Sequence, residues 1–163
     1  MNDAELLITY SEISVGFAGF ASIVVLFRRR STGNWEPTDA FRFGAMLRAS
    51  LLPALFSLVP LPLIRLGISD AHVWQFTSLL IASYMVWGGA KLALLKVALV
   101  PWTRGTLILF HAVVLFTQFV NLFGIGSSPQ SGWVLLGLVG CLGLAGWHFY
   151  HLVWDPSEDA AAS

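Results

Sequence analysis

Long apolar runs separated by short polar breaks dominate the pattern of this chain. A helix needs roughly 20 mostly apolar residues to cross a bilayer. Five segments have that length and character: Ala4–Phe27, Asp39–Ile64, Val73–Val97, Thr106–Ile125 and Gly132–Trp154. The pattern predicts an all-α integral membrane protein, a bundle of five transmembrane helices with short loops. We expect a single domain over residues 1–155 and a short polar tail over residues 156–163.

The second segment contains three prolines that disturb its helix. Pro53, Pro60 and Pro62 each lack the backbone donor that a helix interior uses, and each favours a kink or a break. We expect a proline-kinked helix that ends near Val59, with Leu61–Leu66 continuing along the membrane interface.

The composition supports a membrane protein. The 163 residues are 56% hydrophobic and only 11% charged, with a mean hydropathy of +0.75, whereas soluble domains carry about 25% charged residues. Nine basic and nine acidic residues balance each other, so nucleic-acid binding is not expected. The lipid bilayer is the expected surrounding of the chain.

The basic residues predict an orientation, because lysine and arginine accumulate in cytoplasmic loops. Helix ends on one side carry nearly all of them, namely Arg28, Arg29, Arg30, Arg42, Lys96 and Arg104, and Arg65 belongs to the other side. This distribution predicts a multi-pass protein of the cell inner (plasma) membrane with its N-terminus outside and its C-terminus in the cytoplasm. The acidic start of the chain is unlike a signal peptide, so we expect the first helix to be retained.

The first helix carries an acidic residue inside its apolar run. Glu5, Thr9, Glu12, Gly16 and Gly19 fall within an arc of roughly 80° on a helix that turns about 100° per residue. A charged group at the centre of a bilayer costs about 2.5 to 3.5 kcal/mol on insertion scales. We therefore expect Glu12 to face protein or water inside the bundle.

Polar residues recur at heptad spacing on the later helices, which keeps them on one seam of a bundle. The third segment has Thr77, Tyr84 and Lys91; the fourth has Arg104, His111 and Gln118, with Asn121 nearby; the fifth has Cys141 and His148; and the second adds Arg48. The basic members lie roughly 8 to 10 Å from the cytoplasmic helix ends at 1.5 Å per residue. The candidate conduction or polar-seam residues are Glu5, Glu12, Arg48, Tyr84, Lys91, His111, Gln118, Asn121 and His148.

Each of these features also has a purely structural interpretation. Arg48 and Lys91 can extend their long side chains to the interface, and Gln118 and Asn121 can bond between helices. His111 can be a packing residue, and Glu12 can be a protonated group bonded across the bundle. Small residues allow close helix contact, which predicts a packing role for Gly16, Gly19, Gly137, Gly140, Gly143 and Gly146.

These features favour an oligomeric ion- or proton-conducting protein. In this hypothesis Glu12 is the selective or titratable group, and Gly16 and Gly19 lie at the contact of a homo-oligomer. The alternative is a non-catalytic structural or accessory subunit of a larger membrane complex, in which the polar seams serve only packing.

Catalytic and cofactor functions have less support. The chain has no Gly-x-Ser-x-Gly, His-Glu-x-x-His or phosphate-binding glycine motif, so we expect no enzyme activity. His111 and His148 could in principle ligate haem, but their spacing has no specificity. We expect no cofactor and no metal site, and the single cysteine, Cys141, excludes an internal disulfide.

Overall fold

The computed structural model describes residues 2–32, 37–94, 101–125 and 130–154. The helices are α1 (Asp3–Thr32), α2 (Pro37–Leu58), α3 (Pro60–Arg65), α4 (Asp70–Leu94), α5 (Pro101–Leu122) and α6 (Gln130–Val153). No strand occurs among these residues, so the prediction of an all-helical chain is confirmed. Within the same residues, five helical spans are long and apolar enough to cross a membrane. The tail at 156–163 and the expected helix end at Val97 lie outside the described residues.

The proline-rich segment divides where the sequence predicts. Helix α2 ends at Leu58, and the six-residue helix α3 begins at Pro60. Proline suits this position because its missing donor would be unsatisfied in the first helical turn anyway. Pro53 lies buried within α2. The expected break near Val59 is therefore confirmed.

Helix α6 lies at the centre of the bundle and packs against α1, α2, α4 and α5. Its glycines allow α5 to approach closely. A Cβ atom on Gly137 would overlap the Gln118 amide, and one on Gly140 would overlap a Val114 methyl group. A Cβ atom on Gly143 would lie 3.4 Å from Phe110. The α5–α6 contact thus depends on the absence of side chains at Gly137 and Gly140.

The other glycines with an expected packing role behave differently. No neighbouring atom lies within 4 Å of a Cβ atom built on Gly16, Gly19 or Gly146. Within the described part of this chain these three residues therefore support no close helix contact, and the expected contact of Gly16 and Gly19 with a second copy stays a prediction. Gly16 and Gly19 lie on the exposed side of α1.

Two arginines hold the C-terminal end of α6. Arg28 at the end of α1 donates a hydrogen bond to the Leu152 carbonyl, and Arg42 on α2 donates one to the His151 carbonyl at 3.1 Å. The last four carbonyls of a helix have no partner within the helix and carry partial negative charge. The two guanidinium groups satisfy such carbonyls and join α1 and α2 to α6.

Helix α1 is also fixed along its length. The Tyr10 hydroxyl donates to the Leu138 carbonyl at 2.7 Å, and the Ser57 hydroxyl lies 3.1 Å from the Leu7 carbonyl. These side-chain to backbone contacts determine which face of α1 lies against α2 and α6.

We predict that Gly137→Ala destabilises the bundle and that Gly146→Ala does not. The new methyl group at position 137 must displace the Gln118 amide, and overpacking of this kind costs about 1 to 3 kcal/mol. At position 146 the added methyl group meets no atom, and alanine favours the helix. Thermal unfolding of the two variants in detergent tests the difference. Equal midpoints would show that the α5–α6 contact does not need the glycine.

Candidate functional site

A cavity of about 40 Å³ lies between α2, α4, α5 and α6. Each of these helices contributes one basic side chain to its wall: Arg48, Lys91, His111 and His148, respectively. Tyr84, Trp87 and Gly88 also line it, and among the residues that the structure describes no acidic side chain does. We call it the basic cavity. The structure thus brings together residues that the heptad spacing placed at one depth.

Trp87 contacts the two long basic side chains of the basic cavity. The Lys91 Nζ atom lies 4.3 Å from the centre of the Trp87 ring, and the Arg48 guanidinium carbon lies 5.9 Å from it. Such cation–π contacts stabilise by about 0.5 to 1 kcal/mol at exposed sites. No carboxylate among the described residues pairs with either cation. Their charge is therefore available to a ligand.

The imidazole of His111 has a defined orientation. Its Nδ1 atom lies 2.7 Å from the Leu107 carbonyl, and because a carbonyl only accepts, Nδ1 donates in this contact. The Nε2 atom points toward α4 and would lie 3.0 Å from a Cβ atom on Gly88. Gly88 therefore provides the space that the imidazole occupies.

His148 reaches the basic cavity from α6. It is 5% exposed and lies edge-on to Phe41, with ring centres 6.0 Å apart. Both histidines have short side chains, so their positions are set by the packing of α5 and α6. The backbones of α5 and α6 therefore fix the two imidazoles in the cavity wall, whereas Arg48 and Lys91 reach it on long side chains.

The size and charge of the basic cavity limit its ligand. A water-sized group needs about 10 to 15 Å³, so there is room for about three or four such groups. Basic side chains without acidic neighbours attract an anion, and arginine or lysine rings select anions in pores. The arrangement suits a small inorganic anion. The same size is too small for a macrocycle between His111 and His148.

A second polar group of residues lies toward the other end of the bundle. The Gln118 amide donates to the Trp133 carbonyl at 3.0 Å, and the Asn121 amide donates to the Ser78 hydroxyl at 2.7 Å. Both amides are almost completely buried, and neither side-chain oxygen has a hydrogen-bond partner among the residues that the structure describes. Buried acceptors of this kind are commonly satisfied by water. We call Ser78, Gln118 and Asn121 the amide cluster.

Apolar side chains fill the space between the basic cavity and the amide cluster. Along α4, Ile81 lies between Tyr84 and Ser78; along α5, Val114 lies between His111 and Gln118. Ile81 and Val114 are buried, as are Met85, Leu138 and Cys141. The two polar regions are therefore not connected in this conformation.

The expectation that Glu12 faces the interior of the bundle is wrong for this chain by itself. Glu5, Thr9, Glu12, Gly16 and Gly19, which we call the α1 stripe, are all exposed. The buried face of α1, which includes Leu7, Tyr10, Ser14, Ala18 and Ala21, lies opposite them. The physical reason is that Tyr10 and the small alanines pack against α2 and α6, which turns the acidic face outward.

Glu5 has a local structural role in addition to its place on the stripe. The Glu5 backbone donates to the Asn2 side chain at 2.9 Å, and the Asn2 backbone donates to the Glu5 carboxylate at 3.1 Å. This reciprocal pair is a capping box at the start of α1. The Asn-x-x-Glu spacing was present in the sequence, and it accounts for Glu5 without an ion path.

Sequence reasoning missed Trp87 and Ser78, and it did not predict that Gly88 makes room for the His111 imidazole. Trp87 precedes Lys91 by four residues, a spacing that places side chains side by side on a helix, so this contact had a sequence signal. The partners Ser78 and Gly88 depend on which helices become neighbours. Among the described residues, no group of three or more His, Cys, Asp or Glu could hold a metal ion.

Comparison with protein-family models, with curated proteins and with solved structures finds no match for this chain.

We predict a measurable coupling between Asn121 and Ser78. Their hydrogen bond joins α5 to α4 in a buried position, where such interhelical bonds contribute about 0.6 kcal/mol on average and up to about 1.7. A double-mutant cycle of Asn121→Ala and Ser78→Ala, followed by chemical unfolding, measures it. Strictly additive effects would show that the bond contributes nothing.

Proposed function

We propose that the protein is a multi-pass protein of the cell inner membrane that transports ions, and that the basic cavity binds a small inorganic anion. The observation that carries the proposal is the convergence of four basic side chains from four helices on one cavity, whose wall contains no acidic side chain from the described part of the chain. The distribution of arginines favours an outside N-terminus, an orientation in which the basic cavity would lie toward the cytoplasm.

Snorkelling alone does not account for the basic cavity. A long side chain near a helix end can extend to the interface, which would explain Arg48 or Lys91 taken singly. The short side chains of His111 and His148 cannot do this, yet both line the same cavity. Charged groups within transmembrane segments commonly mark ion pathways. The joint placement of all four therefore supports an ion-binding function.

The remainder of the same seam supports a gated path. The basic cavity and the amide cluster lie along α4, α5 and α6, with buried apolar side chains between them. Apolar constrictions close ion pathways by excluding water. This conformation then corresponds to a closed state, and transport requires α4, α5 or α6 to move. Ion transport then depends on the basic cavity and not on Glu12.

A second candidate is an accessory subunit of a membrane complex, with no transport of its own. The exposed carboxylate of Glu12 favours it, because such a group needs a covering partner. Native mass measurement of the gently purified protein distinguishes the two. Stoichiometric copies of a different polypeptide would support the accessory subunit.

We predict that the purified protein makes liposomes permeable to chloride or nitrate and not to potassium. Lys91→Gln and Arg48→Gln should each lower the anion flux at least tenfold, because each removes a charge from the cavity wall. Arg104→Gln is the matched control, since Arg104 is an exposed basic residue at the same end of the bundle and does not line the cavity. A fluorescent halide sensor inside the vesicles measures the flux.

Two results would contradict this proposal. The first is wild-type protein that raises anion flux no further than protein-free liposomes under either direction of gradient. The second is equal flux in the Lys91→Gln, Arg48→Gln and Arg104→Gln vesicles at equal protein content. Size-exclusion profiles of the variants serve as the folding control.

A further inference from the structure

We infer that the α1 stripe is the surface through which two copies of this chain pair. The inference concerns assembly and does not depend on anion transport; it uses only the placement of the α1 span in a bilayer. The occupant of the stripe is a second copy, related to the first by a two-fold axis parallel to α1.

The first argument is the position of Glu12. It lies within the apolar span Asp3–Arg28, about 5 Å from the midpoint of that span at 1.5 Å per residue. Its side chain is exposed and points away from α2 and α6. A carboxylate in contact with lipid at this depth costs about 2.5 to 3.5 kcal/mol, and it is too short to reach the interface. The bundle alone leaves this cost unrelieved.

The second argument is the shape of the stripe. Gly16 and Gly19 expose bare backbone, with no atom within 4 Å of a Cβ position. Larger side chains stand on both flanks: Val15 is 52% exposed on one side, and Phe20 is 62% exposed on the other. The result is a shallow groove with a glycine floor. Glycine floors let two helices approach closely, which is the main source of helix association in lipid.

The third argument identifies a second copy as the occupant. Arg65 lies beside the N-terminal half of α1, where it lines an open cavity of about 380 Å³ together with Ala4 and Ile8. It pairs with no carboxylate among the described residues. A two-fold axis along the stripe brings the Arg65 side of each copy toward the carboxylates of the other copy. Charge complementarity is thus contained in the chain itself, and the contact closes as a dimer.

The same symmetry supplies hydrogen bonds to the carboxyl groups. When the α1 stripes of two copies face each other across the axis, the Glu12 carboxyl of each copy faces Thr9 and Glu12 of the other copy. The Thr9 hydroxyl of each copy can donate to the Glu12 carboxylate of the other copy. No water is present in the hydrocarbon core, so without such bonds the Glu12 carboxyl groups would have no hydrogen-bond partner there.

Disulfide cross-linking tests the dimer directly in native membranes. In a Cys141→Ala background, Gly16→Cys places a thiol on the stripe near mid-span. Val113→Cys is the matched control, because Val113 is 54% exposed near the middle of the α5 span. Oxidation with copper phenanthroline and oxygen should convert most of the Gly16→Cys protein to a dimer and leave the Val113→Cys protein monomeric.

A second measurement keeps the inference testable if the cysteine variants express poorly. Gly16→Leu fills the floor of the groove without adding charge. As the control, Val113→Leu places the same side chain on the exposed face of α5. Single-molecule photobleaching in liposomes should show wild-type and Val113→Leu dimers, and at least a tenfold weaker association of Gly16→Leu.

Three results would overturn the dimer: equal cross-linking at positions 16 and 113, wild-type monomers at every protein-to-lipid ratio, or a different polypeptide cross-linked at position 16. The flux assay gives an independent readout. Vesicles without anion flux but with dimeric protein would reject the transport proposal and retain the dimer, and the opposite outcome would do the reverse.

Discussion

The close approach of α5 to α6 across Gly137 and Gly140 is the contact on which the rest of the structure depends. Because Gln118 and Val114 fill the space that side chains would take at these glycines, the seam of α5 that contains them faces inward. His111 lies on the same seam one heptad before Gln118, so the same contact carries its imidazole to Gly88 and into the wall of the basic cavity. A side chain at Gly137 or Gly140 would push α5 away from α6 and open the basic cavity on one side.

The basic residues at this end of the bundle divide into two groups with different surroundings. Arg28 and Arg42 donate to carbonyls at the C-terminal end of α6, where partial negative charge stabilises a cation. Their charge serves the fold. Arg48 and Lys91 lie against the face of Trp87, which stabilises a cation without neutralising it. The basic residues at this end of the bundle thus include one pair that stabilises the fold and a second pair whose charge remains open to a ligand.

Much of the fold was predictable from the sequence, because bilayer thickness and proline chemistry act on each segment separately. The five apolar spans and the break at Pro60 need no knowledge of neighbours. Heptad spacing also placed Lys91, His111 and His148 at one level. The direction of Glu12 was not predictable in this way. A polar stripe on a helix shows that something polar must meet it, but a bundle interior and a second copy satisfy that requirement equally well. Only the packing of the opposite face, where Tyr10 bonds to Leu138, shows that Glu12 does not face the interior of its own bundle.

The two proposals place assembly and transport on opposite sides of the molecule. Helix α1 packs against α2 and α6, and its stripe faces away from both. The basic cavity lies on the other side, where α2 and α6 meet α4 and α5. A dimer formed through the stripe therefore has α1 at its axis and one basic cavity far from the axis in each copy. An ion path at the contact between copies, as Glu12 first indicated, would have acidic walls and no basic cavity along it. The geometry instead favours two separate paths, one through the seam of α4, α5 and α6 in each copy, with the carboxyl groups confined to the dimer contact.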